Sequence, residues 1–327
     1  MEIDASPLLD VRHLSTHFVT DEGVFRAVED LSFQLRRGEF LGLVGESGCG
    51  KTTAMLSVLR LLPAAGRIVA GEVRLEGEDI LALEAAEMRR VRWRKMSIIF
   101  QGAMNALNPV RSVGDQIAEA LVLHEMAPTY HQAGKRVAEL LELVGIDAAR
   151  ADQYPHQYSG GMRQRAMIAM ALACNPQIVI ADEPTTALDV MIQAQILELL
   201  ERLQGELGLA VILVTHDLSV VAEVCHNVLV MYGGVLAEYA TVDAIYNEPL
   251  HPYTRLLLEA FPDLSRPDAR LVSIPGQPPR LNALPAGCRF APRCPMVIDR
   301  CRVEAPPVRQ VRPGRWATCH RIDEEGV

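Results

Sequence analysis

Positive charge is in short supply in this chain: among 327 residues, 32 Lys and Arg stand against 41 Asp and Glu, a formal net charge of −9. Nucleic-acid-binding domains usually carry a basic footprint, so the balance gives no electrostatic reason to expect such a partner. Long apolar runs are missing too. The longest, such as Met167 to Cys174 and Leu209 to Val214, fall far short of the roughly 20 residues a membrane-spanning helix needs. Any membrane contact is therefore expected through a partner. The N-terminus, Met1-Glu2-Ile3-Asp4, is acidic and lacks a basic segment followed by an apolar stretch, so no secretory signal is expected and the protein is expected to stay in the cytoplasm. Cysteine is sparse over most of the chain: Cys49, Cys174 and Cys225 are scattered, whereas Cys288, Cys294, Cys301 and Cys319 crowd the C-terminus. In a cytosolic chain this pattern argues against a disulfide framework, and the cluster needs another chemistry.

What is present is apolar material enough for a large core, 49% of residues, in a chain longer than a usual single domain; one large core with a smaller appended unit is the natural reading. From Leu8 to about Leu35 short apolar–polar alternation broken at Asp21-Glu22-Gly23 reads as antiparallel strands. Phe40 to Val44 is a compact apolar strand ending in a glycine-rich loop, and Lys51 to Leu62 continues at helical spacing until Pro63 stops it. Two further buried strands, Ile178 to Ala181 and Ala210 to Val214, each follow a helical segment, as parallel α/β architecture requires. Between them and the first strand lies a helical insertion from about Ala103 to Asn175, with Val137, Leu140, Leu141 and Val144 on one face. A strand pair around Gly233-Gly234 closes the core as a hairpin, and the main domain is placed at residues 1–250. Residues 251–327 open with a short helix at His251-Pro252-Tyr253-Thr254 and then carry so many prolines that regular elements are hard to sustain. A unit of this kind commonly depends on a staple, for which the four cysteines are the candidate.

Gly45-Glu46-Ser47-Gly48-Cys49-Gly50-Lys51-Thr52 fits G-x-x-x-x-G-K-[ST] in full, between a predicted strand and a predicted helix. The glycines let backbone N–H groups turn inward around the β- and γ-phosphates of a nucleotide. Lys51 supplies a point charge there, and the Thr52 hydroxyl is offered to Mg²⁺ at a helix N-terminus, with Thr53 next in the same turn. Asp182 and Glu183 place two carboxylates at the C-terminal end of a buried strand, where α/β sheets hold their ligands. Asp182 is expected to hold the Mg²⁺ water shell and Glu183 to polarise the attacking water. Thr215-His216-Asp217 puts an imidazole at an equivalent strand end, which by itself is an ordinary surface position. In Tyr158-Ser159-Gly160-Gly161-Met162-Arg163-Gln164-Arg165 a serine N-cap and two glycines open a helix, so a positive helix end faces outward from a loop. That geometry suits a phosphate the loop does not itself carry, although a plain capped helix has the same pattern.

Taken together, the loop Gly45–Thr52, Gln101 after Ile98-Ile99-Phe100, Ser159-Gly160-Gly161, Asp182-Glu183, Ala187-Leu188-Asp189 and His216, in that order, resemble an ABC transporter ATPase from Leu8 to about Leu250. The resemblance implies an α/β P-loop NTPase of ABC type with an N-terminal antiparallel β subdomain, a helical insertion subdomain and a Cys-rich C-terminal extension. It further implies a head-to-tail dimer sandwiching two ATP molecules, each between one chain's Gly45–Thr52 loop and the other's Ser159-Gly160-Gly161. On this resemblance Gln101 senses Mg²⁺ and couples to the membrane subunit, Asp189 supports communication across the dimer, and His216 contacts the γ-phosphate. Tyr158 and Met162 depart from the commoner Leu and Gln, while Ser159 and both glycines are kept. The aromatic that stacks on adenine is either Phe18 or Phe25.

Asn247 to Arg255, Ile274-Pro275-Gly276, Ala106-Leu107-Asn108-Pro109 and the Cys-rich tail resemble the oligopeptide/dipeptide importer subunits. Nickel and some oligosaccharide importers share that extension. The implied partners are two transmembrane permease subunits, a second ATPase subunit, paralogous or identical, and an extracytoplasmic solute-binding protein, with the chain peripheral at the cytoplasmic face of the inner membrane. A soluble ABC ATPase acting without a membrane partner is the rival from another class; such proteins usually carry two cassettes or a long coiled-coil insertion, and this chain has neither. The spacing from Cys288 through Cys294 and Cys301 to Cys319 is wider than the paired Cys-x-x-Cys of zinc ribbons. Four thiolates suit zinc or an iron–sulfur cluster, and the resemblance favours a [4Fe–4S] cluster.

Overall fold

The computed structural model describes residues 6–102, 106–186, 188–260 and 273–323. In chain order its strands are β1 (Leu9–Thr20), β2 (Gly23–Leu35), β3 (Phe40–Val44), β4 (Gly66–Leu75), β5 (Glu78–Asp79), β6 (Met96–Ile99), β7 (Ile178–Asp182), β8 (Ala210–Thr215), β9 (Asn227–Tyr232), β10 (Val235–Thr241), β11 (Arg309–Arg312) and β12 (Arg315–Ala317). Its helices are α1 (Lys51–Val58), α2 (Ala85–Arg94), α3 (Val113–Leu123), α4 (Tyr130–Leu143), α5 (Gly160–Ala171), α6 (Val190–Leu207), α7 (Leu218–Val224), α8 (Val242–Asn247), α9 (Pro252–Glu259) and α10 (Asp299–Val303). The chain divides into two compact units, one made of residues 1–36, 40–81 and 214–327, the other of 37–39 and 82–213.

In the first unit the alternating N-terminal segment forms the expected antiparallel pair, β1 facing β2 from Leu9↔Leu35 to Thr20↔Gly23. On its other edge β1 takes up β4, from Leu9↔Leu75 to Phe18↔Gly66, a strand whose interrupted alternation left it unpredicted. The same unit holds the run β11-β12-β10-β9-β3. Here β3 lies parallel to β9, and β9 turns back antiparallel into β10 through Gly233 and Gly234, both at positive φ. Helix α1 is pinned to β1 by a buried bond between the Thr16 and Ser57 hydroxyls, 2.8 Å apart.

Helix α1 ends at Val58, well before Pro63. Arg60 takes a left-handed φ of 52°, and the Arg60 and Leu61 amides donate back to the Ser57 and Leu56 carbonyls at 3.0 and 2.8 Å. That closure is a Schellman motif, normally signalled by glycine; an arginine in the left-handed position gives no such warning. The tail also departs from expectation. It keeps little regular structure of its own, yet β12 adds to the edge of β10 through Glu238↔Ala317 and Tyr239↔Trp316. Tyr253 and Phe290, both fully buried, pack with Val44, Val228, Val230, Tyr232 and Leu257. The tail thus borrows a core from the strands before it, and aromatic burial of this kind supplies much of what a small Pro-rich segment lacks.

In the second unit β8, β7 and β6 lie side by side, with β6 and β7 parallel from Met96↔Ile178 to Ile99↔Ala181. Every residue of β7 is buried, which accounts for its unbroken apolar run. The helical insertion supplies α3, α4 and α5. Ser112, Thr129 and Ser159 cap them, each side chain accepting an N–H from the first turn, the role that short hydroxyl side chains fill best. Helix α6 buries Ile196, Leu199, Leu200 and Leu203 along one face, the stripe expected of an amphipathic helix.

Candidate functional site: a phosphate-binding loop and a carboxylate-bearing strand end

The loop between β3 and α1 owes its path to its glycines. Gly45, Gly48 and Gly50 stand at φ 152°, 77° and 104°. A Cβ on Gly45 would lie 2.3 Å from the Met231 carbonyl oxygen, and one on Gly50 would lie 2.2 Å from that of Ala27. Only glycine fits either place. Lys51 is buried, its Nζ donating to the carbonyls of Gly45 at 2.6 Å and Glu46 at 3.2 Å, so the ammonium is held inside the loop it is expected to serve. Gly50 gives helix α1 no side-chain cap; a helix start of this kind is a ready site for an anion.

Two side chains from the far end of the sequence reach this loop, and sequence reasoning missed both contacts. The Glu46 amide donates to the Tyr253 hydroxyl at 2.9 Å, and the Glu46 carboxylate accepts from Arg293 at 2.7 and 2.9 Å. Tyr253 lies in a segment already singled out, and Arg293 precedes a singled-out cysteine, but neither position carries a local sign of its target. The first unit also holds His216, exposed just beyond β8. The neighbouring Asp217 caps α7, its Oδ1 accepting the Ser219 amide at 2.9 Å. Phe18 and Phe25 face each other directly across β1 and β2, both half-buried, so the structure draws no distinction between them.

The second unit gathers a carboxylate site at the end of β7. Asp182 is buried there. Glu183 stands at φ 47°, a left-handed conformation that is costly for this residue type. Its Oε2 accepts from Gln101 Nε2 at 2.7 Å and from the Thr186 hydroxyl at 2.9 Å. Gln101 and Glu183, 82 positions apart, are therefore brought together, and Thr186 joins them without having been foreseen. Ser159 caps α5, accepting the Met162 amide at 3.2 Å, and Tyr158 is buried with its hydroxyl donating to the Arg150 carbonyl at 3.0 Å. A Cβ on Gly161 would meet Ile192 at 2.9 Å, so that glycine allows the first turn of α6 to approach. Asp189 caps α6 by accepting the Ile192 amide at 3.0 Å; Ala187 lies outside the described residues.

Cys288 and Cys294 are half-buried and Cys301 and Cys319 buried, none of the four in a disulfide. Burial raises the pKa of Cys288 and of Cys294, and neighbouring cysteines add to it: Cys301 and Cys294 act on Cys288, Cys319 and Cys301 on Cys294. The four are thus gathered. Among the described residues, however, no group of three or more His, Cys, Asp or Glu side chains is arranged to hold a metal ion. Neither the expected cluster nor its zinc alternative therefore has support in the described geometry.

A family profile described as ABC transporter matches residues 28–186, and one described as oligopeptide/dipeptide transporter, C-terminal region, matches residues 237–301. A probable peptide ABC transporter ATP-binding protein of Sinorhizobium fredii is 49% identical over 98% of this chain and 96% of its own length. The dipeptide transport ATP-binding protein DppD of Escherichia coli is 45% identical over 98% of both chains. The chain belongs to the ABC transporter ATP-binding family. The solved dimer of the ATP-binding cassette MJ0796, bound to ADP and phosphate in a post-hydrolysis state, superposes with a TM-score of 0.64 at 28% identity, over 72% of this chain and 98% of that one.

This ABC chain is accordingly an ATP-hydrolysing subunit, with the antiparallel β region and helical region of the cassette fold. The first match spans the loop Gly45–Thr52, Gln101, Ser159–Gly161 and Asp182-Glu183; the second spans Tyr253, Arg293 and three of the four clustered cysteines. His216 and Cys319 lie beyond both. Among the described residues no helix of the cassette is long and apolar enough to cross a membrane.

Proposed function

We propose that this chain is the ATPase subunit of a peptide importer, coupling Mg²⁺-ATP hydrolysis to inward transport of dipeptides or oligopeptides. The observation that carries the reading is the match of residues 237–301 to the oligopeptide/dipeptide C-terminal region, together with relatives named for peptide and dipeptide transport along nearly the whole chain. The partners proposed are two transmembrane permeases, a second ATPase subunit and an extracytoplasmic solute-binding protein. The chain then sits peripherally at the cytoplasmic face of the inner membrane. Residues 1–250 are proposed as the nucleotide-binding domain and 251–327 as the subfamily's extension.

The residue roles follow from chemistry. The Gly45–Thr53 segment surrounds the phosphates, Lys51 neutralises them, and Thr52 offers its hydroxyl to Mg²⁺. Asp182 orders the water around the metal. Glu183, buttressed by Gln101 and Thr186, takes the proton from the attacking water as general base. Ser159, Gly160 and Gly161 present the N-terminus of α5 to a phosphate of the partner cassette's nucleotide. His216 is proposed as the γ-phosphate contact and Asp189 as the link across the dimer.

Cys288, Cys294, Cys301 and Cys319 are proposed to hold a [4Fe–4S] cluster. The reading rests on the four cysteines lying in one Pro-rich segment, none of them in a disulfide, with Cys294, Cys301 and Cys319 acting electrostatically on Cys288 or Cys294, a ligand number that suits such a cluster. Such a group supplies a covalent staple and one-electron chemistry when bound. Anaerobic purification with iron, sulfide and zinc analysis tests this: iron and acid-labile sulfide that are lost in Cys294→Ser support the cluster, and their absence from the wild-type protein overturns it. For transport, the chain is reconstituted in proteoliposomes with its cognate permeases and binding protein. ATP-dependent accumulation of labelled dipeptide supports the reading, and accumulation of nickel or an oligosaccharide but not peptide refutes it.

A further inference from the structure

Two residues of the C-terminal extension, Tyr253 and Arg293, reach one residue of the phosphate-binding loop, and a third segment holds Arg293 in place. Glu46 is the first variable position of Gly45–Thr52. Its carboxylate takes both arms of the Arg293 guanidinium, Nη1 donating to Oε2 at 2.7 Å and Nη2 to Oε1 at 2.9 Å, the fork geometry that makes arginine–carboxylate pairing strong and directional. The other Arg293 contacts come from the same unit. Nε donates to the Pro275 carbonyl at 2.8 Å, Nη2 also to that of Ile274 at 3.4 Å, and Nη1 to the Tyr232 hydroxyl at 3.2 Å. The guanidinium stands 5.7 Å from the Tyr232 ring centroid. Tyr253 meanwhile accepts the Glu46 amide at 2.9 Å. Tyr253 and Arg293 therefore act directly on one loop position, and the Ile274 and Pro275 carbonyls act on it through Arg293.

A carboxylate in a loop built around phosphates is an electrostatic liability, because an unneutralised charge there repels the nucleotide. Burying an arginine is not in itself a stabilising device, since desolvation offsets much of what pairing returns. Arg293, 7% exposed, is aimed at the one carboxylate in the phosphate-binding motif. We propose that Arg293 is a positioning residue for ATP binding: it neutralises and fixes Glu46, so that the loop accepts phosphate only with the extension seated on it. The proposal rests on the reading of Gly45–Thr52 as the ATP phosphate site.

The test is equilibrium binding of a fluorescent ATP analogue, mant-ATP with Mg²⁺, to the purified full chain. The proteins compared are wild type, Lys51→Ala, Arg293→Gln, Glu46→Gln and the double variant of the last two. Arg293→Gln should weaken binding about tenfold or more, the scale of one unpaired charge near a phosphate. The double variant should recover most of that loss, because the orphaned carboxylate is gone. Thermal midpoints of Arg293→Gln and of the double should fall together, which separates recovered binding from recovered folding. Wild-type affinity in Arg293→Gln, or a double variant no better than Arg293→Gln, overturns the proposal and leaves Arg293 a structural staple. Equal binding by wild type and Lys51→Ala instead overturns the phosphate-site reading, and the proposal with it. Should Arg293→Gln fail to fold, Arg293→Lys with and without Glu46→Gln carries the same comparison.

Discussion

Acid should destabilise the fold of the extension through His251. It caps helix α9, its Nδ1 accepting the Tyr253 amide at 3.0 Å, and it is 4% exposed between the rings of Phe290 and Tyr253. Burial disfavours the imidazolium and lowers the pKa from 6.5 to about 4. An imidazolium also carries a proton on Nδ1, where the cap needs an acceptor. As pH falls, the unfolded chain takes up its proton near 6.5 while the folded chain resists, so the stability carried by neutral His251 is full above pH 6.5 and is lost toward pH 4. Between pH 7.5 and 4.5 that gap amounts to about 2–3 kcal/mol. His251→Asn keeps a short acceptor at the cap and cannot titrate. Urea unfolding followed by circular dichroism should show the wild type losing about 2–3 kcal/mol more than His251→Asn over that interval. Glu238, whose pKa burial raises, is present in both proteins. Equal losses in the two proteins would refute the assignment of acid sensitivity to His251.

Three other substitutions probe the remaining parts. Glu183→Gln should retain ATP while hydrolysis falls by about 10²–10⁴-fold, the usual contribution of a positioned general base; a variant with normal turnover removes Glu183 from that role. Gly50→Ala places a methyl where the Ala27 carbonyl stands at 2.2 Å, on a backbone at φ 104°, so mant-ATP binding should drop about tenfold or more while the circular dichroism spectrum is kept. Glu238 is fully buried; its carboxylate accepts the Leu250 amide at 2.9 Å and the His251 amide at 2.9 Å, and lies 3.6 Å from Arg315. Glu238→Ala strands the two buried amides, while Arg315 keeps its Glu248 partner at 3.2 Å, and should cost about 2–4 kcal/mol in urea unfolding, against under about 0.5 kcal/mol if the site relaxes to admit water.

Wherever a local signal and the local structure coincide, the sequence was legible. Phe40–Val44 is a strand with the predicted ends, and Lys51 opens the helix after the glycine-rich loop as predicted. Ser159 caps its helix by the bond its residue type foretells. These features depend on a few adjacent residues, whose periodicity or turn chemistry names the outcome. Strand β4 and the early end of α1 were not legible. The first pairs at Gly66–Leu75 through partners some 55 residues upstream and breaks its register near Ser15, and the second turns on an arginine in a glycine's conformation.

The candidate site divides along the same line. Candidate residues could be proposed from the sequence, because phosphate and Mg²⁺ demand particular groups at particular spacings, but contacts between distant segments could not. Gln101 and Thr186 both bond the Glu183 carboxylate, and nothing in either segment announces the other. Glu183 itself sits at φ 47°, where a glutamate costs about 1–3 kcal/mol relative to an extended or helical backbone. A fold tolerates that cost where neighbouring bonds over-determine the conformation, and the two hydrogen bonds to Oε2 supply that constraint. The strain therefore has a direct test in the buttress: Thr186→Val removes one of the two bonds while keeping the side chain's shape. If the buttress holds the carboxylate in its working position, this variant should lower the maximal ATPase rate with little change in the KM for ATP. A change in KM alone would show that the buttress serves binding, and the left-handed Glu183 would then have no catalytic account.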